Sequence, residues 1–320
     1  MAPKTVIALG GNAIAGERGA DPASQQHAVE GAAEQIAELV AHGHDIVITH
    51  GNGPQVGNLL LKNDLARHVV PPVPLDWCVA QTQATLGFLI VTALEAALAR
   101  RGLHRLVSTV ITRVLVAADD PAWARPTKPI GRYVGADEAR ERITAGEAWE
   151  ERGERGWRRV VASPEPLEIL DRGTVDALIA EGAIVVAAGG GGIPMVREHG
   201  RLRGVEAVLD KDLTGALLAR TVGAGTFVVA TDVEAAAVGY GSPAQEWLGA
   251  VTPARLRALL EAGEFGSGSM GPKVQAALAF VENGGRRAVI TSLERLREGV
   301  EGAAGTRVAS EAVTSASEAG

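Results

Sequence analysis

Thr5-Val-Ile-Ala-Leu9-Gly10-Gly11-Asn12 is the stretch from which the fold class can be read. A short, mostly apolar and β-branched run stops abruptly at two glycines, as a strand buried on both faces of a parallel sheet does. Residues 24–41 then carry apolar side chains at helical spacing (Val29, Ala33, Ile36, Ala37, Val40, Ala41), and Gly43 is placed to end that helix. A second run, Asp45-Ile-Val-Ile-Thr49, stops at His50-Gly51-Asn52-Gly53-Pro54. Strand, helix and strand make a βαβ unit, whose crossover is expected to be right-handed.

The pattern continues outward. Gln55–Ala66 reads as a helix, residues 71–74 as a proline-rich break, and Asp76–Arg101 as a long helix stopped by Gly102. Leu106–Val116 is β-branched and reads as one strand. Between Asp119 and Trp157 the composition changes: three prolines, five glycines, three of the five tryptophans and charges of both signs. This segment reads as a solvated excursion or small subdomain on the main sheet. Alternation resumes with helices at 174–181, 213–220, 252–262 and 272–282, and strands at 183–188, 226–230 and 288–291. No repeat or linker interrupts it, so residues 1–308 are expected to form one domain. The low-complexity residues 309–320 are expected to be disordered.

The chain has 320 residues, 46% apolar but only 3% aromatic, so the core is expected to be Ala, Val, Leu and Ile. A net charge of −7 argues against a general nucleic-acid or anionic-membrane surface. No uninterrupted apolar run reaches the roughly 18 residues that span a bilayer. The amino terminus does not read as a secretory signal. Cys78, the single cysteine, cannot form an internal disulfide and reads as a small buried hydrophobe. A soluble cytoplasmic protein is expected.

The chemistry is expected beyond the strand ends, where three glycine clusters fall: Gly10-Gly11, Gly51-Asn52-Gly53 and Gly189–Gly192. Ligands of parallel α/β sheets bind at that edge. Glycine admits backbone amides close to an anion, and a following helix N-terminus adds partial positive charge. Only five lysines stand against 26 arginines, and three of the five lie in unusual surroundings. Lys211 sits between Asp210 and Asp212, Lys273 in Gly268-Ser-Met-Gly-Pro-Lys273, and Lys128 in Pro126-Thr-Lys-Pro-Ile-Gly131. A lysine is a compact, mobile point charge suited to a moving phosphoryl group. The chain has no P-loop signature and no Gly-x-Ser-x-Gly elbow. Its Gly51–Gly57 stretch has one residue too many for a dinucleotide fingerprint. His42-Gly-His44 lacks the further ligands a metal site needs.

Taken in order, Ala8-Leu-Gly-Gly-Asn-Ala13, Thr49-His-Gly-Asn-Gly-Pro-Gln-Val-Gly57, Lys128-Pro-Ile-Gly131, Ala188-Gly-Gly-Gly-Gly-Ile-Pro194, Gly204-Val-Glu-Ala-Val-Leu-Asp-Lys-Asp-Leu213 and Gly268–Lys273 resemble the carbamate kinases of the amino-acid-kinase superfamily. The resemblance implies an open three-layer αβα sandwich with a mainly parallel sheet, a protruding subdomain at about 119–157, and a homodimer. It implies Mg²⁺-dependent, reversible transfer between carbamoyl phosphate plus ADP and carbamate plus ATP, in arginine breakdown. By motif, Gly10, Gly11, Asn12, Gly51, Asn52 and Gly53 would hold carbamoyl phosphate. Lys211 and Lys273 would bridge the phosphoryl group, with Asp210 positioning them and Lys128 reaching in from the subdomain. Asp232, Tyr240 and Met270, with Lys273, would border the nucleotide. Another small-acid kinase of the superfamily, or a non-catalytic nucleotide sensor on the same fold, are the competing readings.

Overall fold

The structure, a computed structural model, describes residues 4–15, 21–266 and 270–309. The chain opens with β1 (Lys4–Leu9), a short α1 (Gly11–Ala15), α2 (Pro22–Ala41) and β2 (Asp45–His50). The start of α2 is specified locally: Asp21 accepts a hydrogen bond from the Ser24 amide at 3.2 Å, and Pro22 occupies the first turn. Next come α3 (Gly53–Ala66), α4 (Leu75–Arg100), β3 (Val107–Thr109) and β4 (Arg113–Leu115). The excursion contains β5 (Lys128–Val134), α5 (Ala136–Thr144), β6 (Trp149–Glu151) and β7 (Trp157–Val161). After it run β8 (Glu168–Ile169), α6 (Arg172–Ala180), β9 (Ile184–Val186), β10 (Ile193–Glu198), β11 (Arg201–Gly204), α7 (Lys211–Thr221) and β12 (Thr226–Thr231). The carboxyl-terminal part holds β13 (Ala237–Val238), β14 (Glu246–Trp247), β15 (Ala250–Val251), α8 (Pro253–Glu261), α9 (Met270–Glu282), β16 (Arg287–Ser292), α10 (Leu296–Glu301) and β17 (Thr306–Ala309).

Eight strands form the main sheet in the order β15-β17-β16-β12-β1-β2-β9-β3. Every neighbouring pair is parallel except β16 with β17. Alternate residues of each strand face opposite layers. Val6, Ala8, Phe227 and Val229 pack with residues of α6, α7, α8 and α9. Ile7, Leu9, Val228 and Ala230 pack with residues of α2, α4 and α10. This is the expected three-layer sandwich, built mostly from aliphatic side chains. One aromatic pair, Phe227 and Phe280, meets at 5.7 Å between ring centroids.

Helix α4 contains no uninterrupted apolar run of 18 residues, as expected, but its average composition is apolar. Among the described residues it is the one helix long and apolar enough to cross a membrane by length and composition, with mean hydropathy 1.5. Here it is a helix of the sandwich, with Leu86, Ile90, Leu94 and Leu98 buried against α2 and the sheet. At Gly87 the helix approaches so closely that a Cβ would collide with Thr109 on β3.

The single strand read over 106–116 is two. β3 belongs to the main sheet, whereas β4 belongs to a separate sheet of order β11-β10-β4-β8. Between them, the Gln83 side chain of α4 takes both backbone groups of Thr112: Oε1 accepts from its amide at 2.7 Å and Nε2 donates to its carbonyl at 3.1 Å. The carbonyl also accepts from the Ile193 amide at 2.9 Å, so the side chain replaces a ladder partner at the amide, and the chain can leave the sheet without orphaning buried backbone. The excursion is a three-stranded antiparallel sheet, β5-β7-β6, that continues to Val161. Ala309 pairs with Arg287 in β17, and the rest of the low-complexity segment lies outside the described residues.

Candidate active site

β1 is flanked by β2 on one side and β12 on the other, and the chain leaves it in both directions. The crevice at such a switch point is where parallel sheets bind ligands. The turns after β1 and β2 are locked to their neighbours. Gly10 N donates to the Ala230 carbonyl at 2.8 Å, and Gly51 N donates to the Leu9 carbonyl at 3.1 Å. A Cβ on Gly10 would lie 2.9 Å from the Ala230 carbonyl oxygen. One on Gly51 would lie 3.3 Å from Gly11 backbone and from Lys211 Cδ. Both turns and Lys211 therefore meet at one place.

Asn52 occupies the cap position of α3 but makes no side-chain cap; its amide donates instead to Thr82 Oγ1 at 2.9 Å. The leading end of α3 is left uncapped, and Gly53 lines the cavity. An uncapped helix N-terminus is suited to an anion. Of Asn12, only its place in α1 is described.

Lys211 Nζ donates to the Leu9 carbonyl at 3.1 Å and lies 3.4 Å from Asp212 Oδ1. Lys273 Nζ, from the first turn of α9, donates to Asp212 Oδ2 at 3.1 Å. Both ammonium groups thus share one carboxylate, and Asp212 and Lys273 are 3% and 6% exposed. The sequence reading assigns the positioning of both lysines to Asp210. In the structure Asp212 contacts them, and Asp210 holds Lys128, whose Nζ donates to its Oδ2 at 2.8 Å. The reason is the helix start. α7 begins at Lys211, so Asp210 is its N-cap and accepts from the amides of Asp212 and Leu213 at 2.9 and 3.2 Å. Asp212, in the first turn, faces α9.

Burial alone would raise the Asp210 carboxyl, but the Lys128 ammonium and the two cap amides hold it below the ordinary carboxylate range. Burial pushes Lys211 below the ordinary lysine range; Asp212 opposes that and Lys273 adds to it. His50, fully buried at the end of β2, is pushed down to about 4 by burial, against the effect of its hydrogen bond from Nδ1 to the Gly51 carbonyl at 2.8 Å. The imidazole is neutral and structural at physiological pH.

The third glycine cluster lends Gly190 to the same cavity wall, but most of it does a different job from the first two. Gly189–Gly192 is wholly buried, in a 3₁₀ turn with Gly190, Gly191 and Gly192 at positive φ. A Cβ at Gly189 would fall on the His50 ring, and one at Gly190 on the Asn52 amide. The cluster makes room behind the β2 turn, so that His50 and Asn52 can be tucked inward.

These groups line a cavity of about 1000 Å³, with Lys128, Asp210, Lys211, Asp212, Asp232 and Lys273 in its wall. Among the described residues of the wall, Tyr240 and Met270 do not appear. Tyr240 is 67% exposed and stacks edge-on against Trp247 at 6.3 Å. Met270 opens α9 and packs on the core. Of Gly268-Ser-Met-Gly-Pro-Lys273, Gly268 and Ser269 lie outside the described residues. Among the described residues no group of three or more His, Cys, Asp or Glu side chains could hold a metal ion. The donor set fits Mg²⁺ that arrives on nucleotide phosphates and keeps much of its water, not an ion caged by protein.

Residues 3–292 match the amino acid kinase family. The carbamate kinase of Pyrococcus furiosus is 45% identical over 314 residues, which cover 96% of this chain and 99% of that protein. Carbamate kinase 1 of Enterococcus faecium is 44% identical over 298 residues, with 92% and 95% covered. The solved carbamate kinase from Giardia lamblia bound to AMP-PNP superposes with a TM-score of 0.92 at 38% identity, covering 97% of this chain and 99% of that one. This chain belongs to the amino acid kinase family and, within it, to the carbamate kinases.

Proposed function

We propose that the chain transfers a phosphoryl group reversibly between carbamoyl phosphate plus ADP and carbamate plus ATP. The observation that carries this is the pair of ammonium groups, Lys211 and Lys273, sharing buried Asp212 beside the Gly10 and Gly51 turns. In the ATP-forming direction a β-phosphate oxygen of ADP bonds to phosphorus as the carbamate oxygen departs. Attacker and leaving group carry their own charge, so the protein needs no nucleophile of its own. Its work is positioning and charge. The glycine turns and the α3 N-terminus would hold carbamoyl phosphate. Lys211 and Lys273 would follow the transferring group from opposite sides of Asp212, which limits their repulsion and fixes their direction. Lys128, on β5, would close over the substrate. Asp232 and the α9 end of the cavity would face the nucleotide, with Tyr240 and Met270 reached from its outer side. Mg²⁺ bound to the nucleotide would neutralise charge that builds up between the phosphates.

The enzyme acts as a cytoplasmic homodimer in arginine breakdown. In support of the dimer, Trp77 and Phe88 are 60% and 63% exposed on one stripe of α4, and Leu65, Val69 and Val70 are exposed as well. The test is ATP formation from ADP, carbamoyl phosphate and Mg²⁺, with carbamate, acetylglutamate and glutamate compared as acceptors in reverse. Turnover restricted to the carbamate couple is expected. Preference for another acid, or nucleotide binding without turnover, would overturn the reading.

A further inference from the structure

A cleft on the protruding sheet has an unusual wall: Pro129, Tyr133, Arg152, Arg155 and Arg158. Three guanidinium groups and a phenol meet there, with no carboxylate in the wall, on a chain whose net charge is −7. Arg152 is paired with Glu150. Among the described residues no carboxylate lies in ion-pair reach of Arg155 or Arg158. Arg158 donates to the Gly131 carbonyl at 3.2 Å and stands over the Tyr133 ring, 5.1 Å from its centroid. The cleft adjoins the site, since Pro129, Arg152 and Arg158 also line the large cavity.

We propose that this arginine cleft is an anion-docking vestibule, which takes phosphate-class dianions and passes them to the lysines. Guanidinium forks match tetrahedral oxyanions, and a cationic rim beside a cavity raises the local anion concentration and the capture rate. Arg155 is not in the wall of the cavity that holds the lysines, so it acts on arrival and not on the transfer step. The identity of the anion as carbamoyl phosphate rests on the proposed function; its class does not.

Tyr133 supplies a direct probe. Hydrogen bonds from Arg155, and then from Arg158, hold its phenol below the ordinary tyrosine range. No other titratable group shifts it. An anion lodged between the arginines would offset their charge and move Tyr133 back up. The experiment is ultraviolet titration of tyrosinate in the wild type, with Tyr133→Phe subtracted, with and without inorganic phosphate at fixed ionic strength. An upward shift in wild type that is lost in Arg155→Gln supports the vestibule. No shift in wild type, or an equal shift in Arg155→Gln, overturns it. In the coupled assay, Arg155→Gln should lower kcat/KM for carbamoyl phosphate about 3–10-fold at low salt. The gap to wild type should close at high salt, with kcat kept. A fall in kcat that persists at high salt overturns the proposal. Wild type that fails to turn over carbamoyl phosphate, yet shows the phosphate shift, would sink the proposed function and leave the vestibule standing.

Discussion

Asp212→Asn removes the one carboxylate shared by two buried ammonium groups while keeping the side chain's shape. At an effective dielectric of about 20, an ion pair at the 3.1 Å of Lys273 or the 3.4 Å of Lys211 is worth about 5 kcal/mol before desolvation is counted. Desolvating Asp212 cancels much of this, but the substitution leaves two uncompensated cations facing each other. Breaking a buried pair from one side costs about 3–5 kcal/mol. The unliganded variant should lose that much stability in urea unfolding, and carbamoyl phosphate should return more stability to it than to wild type. Turnover should fall about 10²-fold or more, because the lysines no longer hold their direction. Asp212 also raises Lys211 against burial. Without it the ammonium is lost at lower pH, so the alkaline limb of residual activity should move down. A variant within about 0.5 kcal/mol of wild-type stability, the scale of an ordinary surface change, with near-normal turnover, would refute the counter-ion role.

Other outcomes follow from single positions. Lys128→Ala should raise KM for carbamoyl phosphate more than KM for ADP; equal effects would remove it from the substrate side. Gly190→Ala should destabilise by about 3 kcal/mol, since φ is +65° and the new Cβ meets Asn52. Gly31→Ala, exposed in mid-α2 with nothing within 4 Å, should stabilise by about 0.5–1 kcal/mol; urea midpoints decide both. His50 falls from 6.5 to about 4 on folding, so the unfolded chain binds the extra proton between those values. Its contribution is full above pH 6.5 and lost as pH falls toward 4, about 3 kcal/mol in all. His50→Gln should flatten unfolding profiles over that window, and an unchanged profile would rule the imidazole out.

The central strands are legible in the sequence because each is a continuous apolar run ended by a break, as at Leu9-Gly10 and Ile48-Thr49-His50-Gly51. Buried parallel strands need no alternation, so the run itself is the signal. Where a side chain does a backbone's work, the signal fails. Leu106–Val116 reads as one strand because nothing local shows that Gln83, on a distant helix, will hold the Thr112 amide and share its carbonyl with the Ile193 amide. The β10–β11 hairpin is hard to read because its two-residue turn, at φ +48° and +76°, has the favoured glycine at Gly200 but His199 in place of the usual Asn, Asp or Gly. β17 is short, and its partners, from strand pairing to the hydrogen bonds of Thr306 with Ala236 and Leu248, are distant in sequence. At the site, Asp210-Lys211-Asp212 is conspicuous as a charge triplet, yet the triplet does not say which aspartate serves which lysine. That depends on where α7 begins: Asp210 caps the helix and is drawn to Lys128, and Asp212 is left to the two inner lysines. A cap residue followed by an acidic first turn was the available clue. The tetraglycine shares its composition with the anion-facing turns, and only the packing of His50 and Asn52 against it tells them apart.

The most direct measurement is kcat for Lys211→Ala in ATP formation at saturating ADP, carbamoyl phosphate and Mg²⁺. A fall of about 10²-fold or more, with KM values nearly kept, is expected if the ammonium held at the end of β1 acts on the phosphoryl group in transfer. Turnover close to wild type would contradict that role.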